Sequence, residues 1–191
     1  MDNVLKPADC LIGVAIPLMQ HDFFAQQQDT DHEFARCCCS SWAKYESEIA
    51  DPFFVFQERI RKLGVKLTCN MTSEMITGLF TTSNKHITLI AHWSAGKIEL
   101  FDKMVTFQDF VLKIPKDYVG IIDLCVCTPE ELVNEIKSKR PNCSVRYIQE
   151  TVSIANWFYF YWVLFQYLQV SEGNYQDAFT KVTKTFLKKI R

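Results

Sequence analysis

Glycine and proline are scarce, with six of each among 191 residues. That scarcity, beside an apolar content of 48%, excludes a disordered or low-complexity chain. Net charge is nearly absent as well: 21 Lys and Arg oppose 22 Asp and Glu, leaving −1. A dedicated nucleic-acid binder needs a basic surface, so no nucleic-acid partner is expected. No stretch reaches the ~18–20 apolar residues of a membrane span. The nearest, residues 154–168 (IANWFYFYWVLFQYL), is short and carries Asn156 and Gln166. It reads as a buried core helix. There is no glycine-rich phosphate loop and no Cys-x-x-Cys; Cys125 and Cys127 form a single Cys-x-Cys. Structural zinc usually takes two paired ligand sets, so neither a metal nor any other cofactor is expected. The first residues show no charged-then-apolar leader, and the cytoplasm is the expected setting.

What the chain does have is cysteine, eight residues in all, three of them consecutive at Cys37, Cys38 and Cys39. Neighbouring cysteines do not easily reach separate partners, so free thiols in a reducing compartment are expected, most of them buried as small hydrophobes. Short apolar runs alternate with capped amphipathic stretches. Strands are predicted at residues 9–18, 65–70, 86–93, 118–124 and 144–149, with a hairpin or edge strand at 97–107. Helices are predicted at 32–49, at 53–63 closed by Gly64, at 72–80, at 128–139 behind Thr128 and Pro129, at 154–168 and at 175–189. Residues 21–31 read as a loop or a frayed helix, and 108–114 as a short helix or turn. Helices between successive strands mean an α/β chain with a mostly parallel sheet, expected as one domain over residues 1–191.

In such sheets function gathers at the carboxyl ends of the strands. One central strand ends at His92, the other around Asp123, Cys125 and Cys127. An imidazole and a thiol at one sheet edge make a candidate acid/base and nucleophile. Cys125 also precedes a capped helix start, whose partial positive charge favours a thiolate. The aromatic helix carries bulky apolar residues on nearly every face, so part of it is expected to form a surface for self-association or a protein partner.

Several segments carry a resemblance in their order and spacing: VKLTCNMTSEMITGLF leading to HITLIAHW, then VTFQDF, GIIDLC and NYQDAFTKVTKTFL. Over residues 53–190 the chain resembles the caspase-like cysteine peptidases, and most of all their CHAT branch. The resemblance implies a three-layer sandwich and a cysteine endopeptidase acting on a protein or peptide. It makes His92 the catalytic histidine and Cys125 the nucleophile, with Cys127 as the alternative. Backbone N–H groups of Trp93 and Cys125 would hold the oxyanion, although the family usually has Gly where Trp93 stands. Asp-x-Cys also resembles the metacaspase relatives, so Asp123, reinforced by Glu150, is expected to receive a basic substrate side chain, with cleavage after Arg or Lys. The competing expectation is a catalytically inactive module on the same fold that docks a partner.

Overall fold

The computed structural model describes residues 5–127, 129–149, 152–171 and 174–190. The chain enters through β1 (Cys10–Val14), all five residues of which are buried. Helix α1 (Gln20–Gln28) follows, where the sequence left a loop or frayed helix. Its Phe23 and Gln26 are buried, and that packing stabilises the polar helix.

The single helix predicted over residues 32–49 is broken. Helix α2 (Phe34–Cys38) stops because Cys39 is extended, at φ −148° and ψ 139°. Ser41 then starts α3 (Trp42–Tyr45), its hydroxyl accepting the Lys44 N–H at 3.4 Å. Serine side chains offer the backbone this alternative to continued helix, and the apolar spacing is blind to it. A π-helical stretch, Glu46–Ala50, runs on into α4 (Asp51–Lys62).

Helix α4 ends at Gly64, with φ +80°. Gly64 N–H reaches the Arg61 carbonyl at 3.0 Å, and Val65 N–H the Ile60 carbonyl at 3.3 Å, the paired bonds of a Schellman cap. Gly64→Ala keeps the space but not the conformation. It should cost about 1 kcal/mol, read as a lower urea midpoint at unchanged slope.

Strand β2 (Lys66–Thr68) and the short helix α5 (Ile76–Leu79) follow. Ser73 does not cap that helix; its N–H and hydroxyl both donate to Asp102, at 2.7 Å each. Strand β3 (His86–Ile90) is wholly buried. The chain then leaves the main sheet, so residues 86–93 are not one strand. Strands β4 (His92–Ser94), β5 (Lys97–Glu99) and β6 (Met104–Thr106) form a small antiparallel sheet of their own. Helix α6 (Phe107–Lys113), β7 (Ile121–Cys125), α7 (Glu130–Lys139), β8 (Ser144–Tyr147), α8 (Ile154–Val170) and α9 (Tyr175–Ile190) complete the chain. Thr128, expected to cap α7, lies outside the described residues.

The main sheet has the order β2-β1-β3-β7-β8 and every pair is parallel. Alternation along the strands builds two apolar layers. Cys10, Ile12, Val14, Ile90, Ile121 and Cys125 face α4, α8 and α9. Leu11, Ile87, Leu89, Ile122, Leu124 and Val145 face α5, α6, α7 and the small sheet. The result is an α/β three-layer sandwich, covered on both faces as parallel sheets require. Among the described residues no helix is long and apolar enough to cross a membrane. Helix α8 buries Trp157, Phe158, Phe160, Tyr161, Leu164, Phe165 and Leu168, while Tyr159 is 42% exposed and Val170 83%.

Candidate functional site

The site is set by register. In the parallel pair β3–β7, Ile90 stands opposite Cys125, and both are buried in the layer facing α8. Two residues further along each chain stand His92, half-buried, and Cys127, exposed. β3 ends at Ile90 and β7 at Cys125, so both residues lie just past the paired strands, at the carboxyl edge of the main sheet. His92, Cys125 and Cys127 all line one cavity of about 440 Å³, together with Phe34, Cys38, Cys39, Glu48 and Trp157.

The small sheet holds the imidazole in place. His92 opens β4 opposite Glu99 of β5, and its ring lies 5.6 Å from that of Phe34 between centroids. Glu99 is only 3% exposed. Its carboxylate accepts the N–H groups of Glu33 and Phe34, each at 2.9 Å, and so clamps the start of α2 against the cavity. Glu99→Ala leaves those donors unanswered. A loss of about 1–3 kcal/mol and faster amide exchange at Phe34 are the expected results.

Trp93 lies elsewhere. Its ring is buried in the other apolar layer, 6.2 Å from that of Phe107, and it is not among the residues lining the cavity. The indole therefore leaves the cavity open, for the strand turns it to the opposite face from His92.

Asp123 does not line the cavity, and the substrate role expected of it needs correction. Its carboxylate meets His86 Nε2 at 3.0 Å and accepts hydroxyl hydrogen bonds from Tyr161, at 3.0 Å, and from Tyr175. Both members of the ion pair are essentially sealed from solvent, at 0% and 1% side-chain exposure. The cation that the sequence left to a substrate is supplied from β3, because Thr88 lies opposite Asp123 and His86 shares its face. Glu150 lies outside the described residues.

Cys125 is the floor of the cavity more than its wall, at 1% exposure. Burial pushes its thiol well above the usual range; the Tyr161 hydroxyl opposes that and the Asp123 charge adds to it. The expected thiolate at a helix start is not what this environment favours. Cys38 and Cys39 lie outside the site expected from sequence, yet both line the cavity. Their thiols contact one another, and Cys39 donates to Glu48 at 3.8 Å. The run of three cysteines was the visible signal, but only the break after α2 turns two of them onto the cavity. All eight cysteines are free thiols; four are buried, Cys38 and Cys69 are half-buried, and Cys37 and Cys127 are exposed. Among the described residues no group of three or more His, Cys, Asp or Glu side chains is placed to hold a metal ion.

No family model matches the chain, and no curated protein is significantly similar to it.

Proposed function

We propose that this protein is a caspase-like cysteine hydrolase that cleaves peptide bonds with a His92–Cys127 dyad. The observation that carries the reading is that His92 and the exposed Cys127, each two residues beyond the paired Ile90 and Cys125, line the same cavity. The exposed Cys127 sulfur attacks the peptide carbonyl carbon. His92 takes the thiol proton and delivers it to the leaving amine. Water then hydrolyses the thioester, with His92 as its base. Cys125 is the weaker choice for nucleophile on physical grounds, since a carbonyl carbon must reach the sulfur and burial holds this thiol protonated.

Glu48 is the one carboxylate among the described residues that line the cavity. It takes over the electrostatic role expected of Asp123, and the preference for a basic substrate residue is proposed on that basis. Free thiols throughout suit a reducing compartment such as the cytoplasm.

The test is labelling with a peptidyl electrophile, for example an acyloxymethyl ketone carrying Arg or Lys. One equivalent should add at Cys127, and His92→Ala should slow that addition strongly. Labelling spread over Cys37, Cys127 and the half-buried thiols, indifferent to His92, would favour the non-catalytic module. That second reading is supported by an apolar groove of about 190 Å³ between α8 and α9, lined by Tyr159, Val163, Tyr167 and Val182.

A further inference from the structure

Half of the cysteines of this chain surround one cavity: Cys38, Cys39, Cys125 and Cys127. We propose that this cavity is an oxidation site at which a hydroperoxide joins Cys127 to Cys38 as a disulfide.

The four sulfurs are not equivalent. Cys127 alone of the four is exposed, Cys38 is half-buried, and Cys39 and Cys125 are buried. Burial pushes the Cys38, Cys39 and Cys125 thiols up, so they stay protonated and react poorly with peroxide. An oxidant entering the cavity therefore meets Cys127 first. Cys125 lies beneath, against Tyr161 and Asp123, and Cys39 is engaged by the Glu48 carboxylate at 3.8 Å. Cys38 remains as the cavity thiol with partial access.

The chemistry balances. The Cys127 sulfur attacks one peroxide oxygen; an S–O bond forms, the O–O bond breaks, and the leaving oxygen departs as alcohol or water with the thiol's proton. Sulfur is oxidised and the peroxide reduced. Cys38, whose thiol burial holds protonated, attacks the sulfenic sulfur as it gives its proton to the departing hydroxide; an S–S bond forms, the S–O bond breaks, and water leaves. A disulfide needs the two Cα atoms within about 4.4–6.8 Å. Cys38 is the last residue of α2, and residues 39–41 beyond it are non-helical; the proposed link requires this end of α2 to bring Cys38 within that distance of Cys127.

The inference shares with the proposed hydrolase the accessibility of Cys127, and closing the disulfide would switch that activity off. Its readout is covalent and independent of turnover. The full chain is treated with one equivalent of hydrogen peroxide, alkylated without reductant, digested and mapped by fragmentation mass spectrometry. The expected product is a protein lighter by two hydrogens, with Cys127 linked to Cys38 and the link cleaved by dithiothreitol. In Cys38→Ser the sulfenic acid at Cys127 should persist long enough for dimedone to trap it. Wild-type protein that carries Cys127 to the sulfinic acid without a cross-link overturns the inference. So does a cross-link that omits either residue, such as one through Cys37. An inactive protein that forms the Cys38–Cys127 link sinks the hydrolase alone; an active one that never forms it sinks this inference alone.

Discussion

Cys127→Ala is expected to lower kcat for cleavage of a basic-site peptide at least about a thousandfold. The loss is that large because the attacking atom itself is removed, and no other sulfur on the cavity is exposed. His92→Ala should cost about as much. The double variant should be hardly worse than either single one, since a nucleophile and its proton carrier act as a unit and their effects do not add. Cys125→Ala is the informative contrast: it removes a buried sulfur from the layer below, and labelling at Cys127 should still reach one equivalent. Full turnover in Cys127→Ala together with its loss in Cys125→Ala would transfer the nucleophile to Cys125 and show that the floor of the cavity opens during catalysis.

Asp123→Ala should cost about 3–5 kcal/mol of folding stability, the largest effect expected for a residue outside the cavity. It strands a buried imidazole and two tyrosine hydroxyls in one step. The pH dependence identifies the cause. Burial alone would push His86 down; the Asp123 carboxylate outweighs it, with Cys10 adding, and holds the imidazole up at about 10. The unfolded value is about 6.5. A raised folded value means that the stabilisation is complete below about 6.5 and is lost as pH climbs through about 10. Burial also raises Tyr161 and Tyr175, which act in the same direction above their ordinary range. The urea midpoint of the wild type should therefore fall steadily from neutral pH into the alkaline range, and Asp123→Asn should flatten the part of that fall due to His86. A variant whose midpoint matches the wild type throughout would show that the ion pair contributes nothing to stability.

The parallel sheet was legible because its strands advertise themselves. HITLI and IIDLC are short, mostly β-branched or apolar runs buried on both faces, and the amphipathic helix containing ELVNEIKSK separates the second from β8. Even there, His86 and Asp123 read as ordinary polar punctuation, because nothing in one strand records which residue stands beside it in the next. In the region between Phe34 and Ala50 the apolar pattern and the structure diverge for a different reason. Its apolar spacing is helical, but Ser41 captures a backbone N–H and diverts the chain, a local competition that periodicity does not register. The aromatic helix fell between the two expectations: most of its large side chains are buried, yet one side of it stays open beside α9.

The sequence by itself determined that HITLI and IIDLC are central parallel strands, with His92 shortly after the first and Cys125 and Cys127 at and beyond the end of the second; that follows from their apolar runs and right-handed crossovers. Which thiol faces the cavity was decided by register. Ile90 pairs with Cys125, which packs into the core layer at 1% exposure, while Cys127, past the end of β7, is exposed beside the cavity. The partner of Asp123 was decided in the same way, by the lateral neighbour that a parallel sheet supplies and a linear chain cannot show. The sulfur-rich wall also belongs to the tertiary structure, since it needs the break after α2 and the Glu99 clamp to bring Cys38 and Cys39 against the end of β7.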